Sequence, residues 1–385
     1  MKITNAKVFL DGKFQNLEVQ YQDGIITKVD TKIQDDHFID ANGMYLYAGM
    51  IDTHIHGGYT YSFYESENVD FSNGEEQVRE ICRRLPYSGV TSCLPTFDGS
   101  TPLESLIKST RLIRKVRKDI VGADPFQIHY EGPYMNPKQT ASNMPKYQVN
   151  PSKEHTMAMT DGDLSDVMLI CIAPELPGAI EWIDWVTKQG VKAEICYTQA
   201  TSDQVRDAAD HGLTQASHLY NGYQPMHHRI NGPGIGTLLD DRINAQLTCD
   251  GMHVGADWIR LAIRVKGLDH IYGITDMTSF SGLPEGKHKN PFFGEINVKG
   301  NTVTDNNGML LGGNMVWNEI MRAAKEKIGL SMEEIGSIYS ENPAKCLGIT
   351  DRGKIEVGRR ADFTIMDQDY HVLQTIIKGN TYYKA

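Results

Sequence analysis

The chain has 385 residues, 40% hydrophobic and 23% charged, with 36 glycines and 15 prolines; this is the profile of a soluble globular enzyme, long enough for one α/β barrel of about 250 residues plus a smaller module, and it excludes disorder. Lys and Arg total 38 against 49 Asp and Glu, a net charge of −11, so most of the surface repels a polyanion and no nucleic-acid partner is expected. No segment approaches about 18 uninterrupted apolar residues, and Met1–Ala6 lacks the apolar core of a signal peptide, so the expectation is a cytoplasmic protein with no membrane partner.

In chain order, the first forty residues alternate short apolar and polar runs. Lys7–Leu10, an Asp11-Gly12 turn, Leu17–Tyr21, an Asp23-Gly24 turn and Ile25–Val29 predict a β-meander. From about residue 50 to 345 the pattern becomes short apolar runs separated by helical stretches, as in parallel strands with crossover helices. Eight strands are predicted: Met50–Thr53, Thr91–Pro95, Phe126–Tyr130, Val167–Cys171, Val191–Cys196, Gln215–His218, Asn244–Thr248 and Ile271–Thr275. Helices are predicted over Glu75–Leu85 and Ser105–Val116, and Ser331–Tyr339 opens with a Ser-x-x-Glu capping box. The last thirty residues return to β character at Gly353–Gly358, Ala361–Met366 and around Thr375–Ile377. The expected organisation is a small β domain built from 1–48 and 352–385, bracketing a barrel over 49–351. The six cysteines form no C-x-x-C pair, so buried thiols are expected rather than a disulfide framework.

The chemistry-bearing residues fall at predicted strand ends. His54 and His56 close the first strand; residues two apart share a face, so both imidazoles can aim at one point, and Gly57 and Gly58 leave room beyond them. Glu131 follows the third strand in His129-Tyr130-Glu131-Gly132-Pro133, His218 the sixth, and Asp276 the eighth. Each alone has an ordinary reading: two loop histidines, a solvated carboxylate, a helix N-cap. Their convergence on the C-terminal rim, where barrels keep their sites, argues for a divalent-ion site of zinc or iron type holding one or two ions. His54, His56, Glu131 and His218 are the candidate ligands, and Asp276 the candidate general base and acid, itself also within reach of the ion.

Together these motifs resemble the N-acetylglucosamine-6-phosphate deacetylase family of the amidohydrolase superfamily. The resemblance is carried by Ser217-His218-Leu219-Tyr220-Asn221-Gly222, His227-His228-Arg229, Asp250-Gly251-Met252-His253-Val254, Thr275-Asp276-Met277 and Gly282-Leu283-Pro284-Glu285-Gly286. It implies a metal-dependent (β/α)8 barrel with a small β-sandwich domain formed by both chain ends, in a homodimer. The implied activity is hydrolysis of N-acetylglucosamine 6-phosphate to glucosamine 6-phosphate and acetate by metal-activated water. By the match, His54 and His56 take the paired-histidine position, Glu131 the metal carboxylate, His218 a metal histidine and Asp276 the general base. Asn221, Gly222, His253 and Arg229, the last delivered across the dimer, would bind the sugar phosphate.

Two departures stand out. Where the family has Gly-His-Thr-x-Ala, this chain reads Cys196-Tyr197-Thr198-Gln199-Ala200, so Tyr197 replaces a metal histidine. A phenol is a poor neutral ligand, and metal near His218 needs help from Cys196 or Tyr197. Where the family has Lys-Gly-Ala-His, the chain reads Lys138-Gln139-Thr140-Ala141, without the carbonyl-holding imidazole. The simplest repair is an ion held by His54, His56, Glu131 and Asp276 that polarises the carbonyl itself. Two rival readings remain: an amidohydrolase acting on another N-acyl amino sugar or cyclic amide, and a catalytically silent barrel that binds a sugar phosphate.

Overall fold

Strands that are covered on both faces lose the in-out alternation of a half-exposed sheet. Met50–Ile55 and Ile128–Tyr134 are buried at every residue, and Val90–Asp98 at all but its last. In the computed structural model, which describes residues 1–66, 71–139, 145–290 and 294–385, these three are the first barrel strands. Val167–Ile172, Lys192–Ile195, Gln215–Ala216, Asn244–Leu247 and Ile271–Gly273 follow in sequence order, every neighbouring pair parallel. The short segment Asp124–Pro125 is the leading piece of the third strand. Closure comes just beyond the eighth strand, where Ile55 bridges Met277 in parallel and the Asp276 amide donates to the His54 carbonyl at 3.0 Å. All eight predicted strands are present.

The crossover helices lie on the outside with one face inward. Gly74–Arg84 buries Val78, Ile81 and Cys82, and its ends carry Glu75 and Glu76 at the N-terminus and Arg83 and Arg84 at the C-terminus, which complements the helix dipole. Leu103–Val116 buries Leu106, Ile113 and Val116 in the same way. The predicted capping box is formed, with Ser331 capping Met332–Gly336 and Glu334 bonding back. No helix among the described residues is long and apolar enough to cross a membrane.

Both chain ends enter one sheet. Asn380–Lys384, Val372–Ile377, Phe363–Met366, Tyr45–Ala48, Lys2–Leu10, Lys13–Gln22 and Ile25–Asp30 pair in that order, with Phe38–Asp40 added beside Lys2–Leu10. The path curls on itself, since Ile25 at one edge bridges Arg360 near its middle. It thereby encloses a separate core of Ile3, Val8, Val19, Leu46, Phe363 and Ile376. The junction with the barrel is ionic: Asp124 faces both Arg352, at 2.9 Å, and Arg360.

Two elements differ from expectation. Gly353–Gly358 is not a strand but a series of bends, because Gly353 and Gly358 sit at φ of 73° and 92°, which breaks an extended run; Ile355 between them still enters the terminal core. A four-stranded antiparallel sheet, Gly286–Asn290, Gly294–Lys299, Thr302–Asp305 and Leu310–Gly313, stands after the eighth barrel strand and was not anticipated. Its small core is Ile296, Val298 and Val303 against Phe280.

Candidate metal centre

The first barrel strand presents His54 and His56 from one face, and their Nε2 atoms lie 3.2 Å apart. Around them the third and eighth strands bring two carboxylates. His54 Nε2 is 3.5 Å from Glu131 Oε1 and 3.5 Å from Asp276 Oδ1, and His56 Nε2 is 3.3 Å from Glu131 Oε2 and 3.4 Å from Asp276 Oδ1. With metal bonds of about 2.0–2.2 Å at tetrahedral angles, neighbouring N and O ligands stand roughly 3.3–3.6 Å apart. His54, His56 and Glu131, whose ligand atoms all lie within 4.8 Å of one another, form a set that could hold a divalent ion, with Asp276 Oδ1 beside both imidazoles. His54, His56 and Glu131 are buried, while the Asp276 side chain keeps 26% of its surface exposed. Asp276 is thus the member of the set that solvent and a substrate can reach.

The sixth strand stops at Ala216, two residues before the predicted end, because the chain turns at His218 with φ of 26°. That turn carries His218 Nε2 to 2.6 Å from Glu131 Oε1. Cys196, fully buried at the end of the fifth strand, places its Sγ 3.7 Å from His218 Nε2 and 3.9 Å from Glu131 Oε1. Tyr197 turns its ring edge-on to His218, with centroids 5.2 Å apart.

Electrostatics follow from this crowding. Burial opposes an ionised Glu131, yet the imidazoles of His54, His218 and His56 hold its carboxyl well below the usual range. Asp276 is likewise pushed up by burial but held low, by His54 and His56. Burial works against charging the histidines, and the two carboxylates still raise His54 and His56. Burial pushes the Tyr197 phenol far up, as do the nearby carboxylates, which keeps it neutral.

A supporting shell holds the candidate ligands, and here the sequence reading missed its members. Gln246, on the seventh strand, accepts through Oε1 from His54 Nδ1 at 2.9 Å and from the His218 amide at 3.3 Å. This fixes the His54 tautomer, with the Nε2 lone pair facing the site. Asp52 accepts from the Thr275 hydroxyl and from the amides of His54 and Thr275, tying the first strand to the eighth beside Asp276. Beneath them His129 Nδ1 donates to the Thr53 carbonyl at 3.2 Å, its Nε2 lies 2.9 Å from Glu194, and Cys171 Sγ is 3.2 Å from the same carboxylate. The available signal was a polar residue between two apolar ones within a strand, as with Glu194 and Gln246.

The predicted substrate residues divide. Asn221 and His253 line one cavity of about 300 Å³ with Tyr220, Met226 and Trp258. Gly222 sits beside it at φ of 67°, and a Cβ there would meet the Tyr197 ring at 2.5 Å. Arg229 lies on an exposed loop, and among the described residues its guanidinium has no ion-pair partner; the chain does not bring it to its own cavity. Thr140, Ala141 and Ser142 lie outside the described residues. A larger hollow of about 790 Å³ opens on the terminal sheet and shares no residue with the ligand cluster.

A parallel barrel with histidines and carboxylates gathered on its C-terminal rim defines a class, and the chain belongs to the amidohydrolase family, whose model matches residues 45–382. Within that family it is similar to the N-acetylglucosamine-6-phosphate deacetylase of Bacillus subtilis, 33% identical over 87% of this chain and 84% of the relative. Among solved structures it is similar to the N-acetylglucosamine-6-phosphate deacetylases of Pasteurella multocida (25% identity, 99% and 98% of the two chains, TM-score 0.88) and Thermotoga maritima (26% identity, 100% of both, TM-score 0.84).

Proposed function

We propose that this protein hydrolyses N-acetylglucosamine 6-phosphate to glucosamine 6-phosphate and acetate, as a cytoplasmic enzyme using a zinc- or iron-type divalent ion and acting as a homodimer. The observation that carries this reading is the set of five ligand separations of 3.2–3.5 Å among His54, His56, Glu131 and Asp276. The relatives' names supply the substrate. His54, His56 and Glu131 would hold the ion, which when bound acidifies water and polarises a carbonyl.

The chain's own residues supply the rest. Asp276, kept ionised by the imidazoles and partly open to solvent, accepts a proton from the attacking water and returns it to the sugar nitrogen as the C–N bond breaks. A carboxylate at that edge can reach both positions because it alone of the four is not enclosed. Asn221 and His253 line the cavity that would take the sugar phosphate. Burial works against a charged His253, yet the hydrogen bond and charge of Asp250, at 2.6 Å, raise its pKa and favour an imidazolium suited to a phosphate. Arg229, exposed and without an ion-pair partner among the described residues, suits presentation to the cavity of a second copy.

Tyr197 in a histidine's place favours one alternative, a related enzyme for another N-acyl amino sugar. Acetate release from N-acetylglucosamine 6-phosphate, with bound metal quantified and an Asp276→Asn variant alongside, decides between them. Release that the variant abolishes supports the proposal. A filled metal site without release on this substrate, but with release on another member of an N-acyl amino-sugar panel, moves the assignment to that sugar. Absence of both metal and release would mean a silent barrel.

A further inference from the structure

The sequence leaves a gap beside His218, and the structure shows which neighbour can fill it. Adjacent residues diverge as the fifth strand ends. Tyr197 turns its ring against Gly222 and the edge of His218, whereas Cys196 sends its sulfur into the carboxylate-histidine cluster. Ligand atoms of Glu131, Cys196 and His218 all lie within 4.8 Å of one another, and all three residues are buried.

We propose that Cys196, not Tyr197, completes a second divalent-metal site with Glu131 and His218, so that Glu131 bridges two ions. This rests on the reading of Glu131 as a metal carboxylate. The orientation of that side chain supports it: Oε2 faces His56 at 3.3 Å, while Oε1, 3.5 Å from His54, lies between the two sites and faces His218 at 2.6 Å. For a zinc-type ion with a sulfur bond of about 2.3 Å, tetrahedral sulfur-to-nitrogen and sulfur-to-oxygen separations are roughly 3.6 Å. The observed 3.7 and 3.9 Å are close to this. Only the His218–Glu131 hydrogen bond must open, by about 0.8 Å. The ion displaces the thiol proton to solvent on binding, and the resulting sulfur-containing set selects zinc or cobalt over magnesium or calcium.

The test is titration of metal-free, full-length protein with cobalt(II). Two equivalents are expected, with a sulfur-to-cobalt charge-transfer band. Cys196→Ser should bind one equivalent without the band, while Tyr197→Phe and Cys171→Ser should retain both the band and the second equivalent. Zinc-edge X-ray absorption on the unmodified protein should show a sulfur neighbour at about 2.3 Å, which needs no variant to fold. A saturated protein with no band and no sulfur neighbour overturns the proposal, as does a band that survives Cys196→Ser or depends on Cys171. Acetate release is read in parallel. A band without acetate leaves the Cys196 site standing and sinks the substrate reading; acetate without a band does the reverse.

Discussion

Gln246→Leu should weaken metal binding without touching a ligand. The Gln246 side-chain oxygen accepts from His54 Nδ1 at 2.9 Å and from the His218 amide at 3.3 Å, in a fully buried position. Leucine fills a similar volume but accepts nothing, so His54 Nδ1 loses the acceptor that holds its proton there and keeps only the longer contact, 3.3 Å, to the Ser217 hydroxyl. Loss of such a partner costs about 10–100-fold in metal affinity, or roughly 1.4–2.7 kcal/mol. The buried His218 amide loses its side-chain acceptor while His54 Nδ1 falls back on the Ser217 hydroxyl, so the stability loss should be about 1–3 kcal/mol. Gln246→Glu retains an acceptor and should recover most of the affinity. Chelator competition, followed by metal analysis, reads the affinity, and urea unfolding of the metal-free proteins reads stability separately. Affinity within twofold of the unmodified protein in Gln246→Leu, or equal losses in the Leu and Glu variants, would refute the tautomer argument and leave only packing.

Three further outcomes are expected. His253 gains its charge from Asp250, so the KM for a phosphorylated substrate should rise as pH climbs through the raised His253 pKa, and His253→Asn should show a higher KM with that pH slope removed. Gly222→Ala should destabilise by about 1–2 kcal/mol from the left-handed φ alone, with more from the Tyr197 contact; adding Tyr197→Ala should return only the contact part, a non-additivity visible in a double-mutant cycle by thermal melts. Burial opposes an ionised Asp124, but Arg352 and Arg360 hold its carboxyl below the ordinary range. The unfolded chain therefore takes up that proton first: this contribution is present above about pH 4 and is lost as pH falls through the folded pKa. Asp124→Asn should cost at most about 3 kcal/mol at pH 7, less than a fully orphaned buried charge because each arginine keeps a second carboxylate, and should flatten the acid limb of urea-unfolding stability against pH.

The barrel was legible because its strands are short buried runs at regular intervals, and runs such as Val167–Ile172 stand out from amphipathic helices on either side. Strand ends were less so. The sixth strand stops at Ala216 because His218 needs a left-handed backbone to reach Glu131, and a contact 87 residues away in the chain leaves no local mark. The inserted antiparallel sheet carries a period-two pattern in Gly294–Lys299, but its strands bury only a small core and their pattern is correspondingly weak.

Sequence by itself determined which side chains could do chemistry: His54 and His56 on one strand face, a glutamate before Gly-Pro, a histidine and an aspartate at later strand ends. Residue type and local spacing suffice for that, because strand periodicity fixes which neighbours share a face. Only the tertiary structure decided how those groups are used. It set the ligand separations, left Asp276 as the open edge, chose Cys196 over Tyr197 to face Glu131, placed Gln246 and Asp52 behind the histidines, and kept Arg229 out of its own cavity. These are distances between strands far apart in the chain, fixed by barrel closure and packing, and no local pattern encodes them.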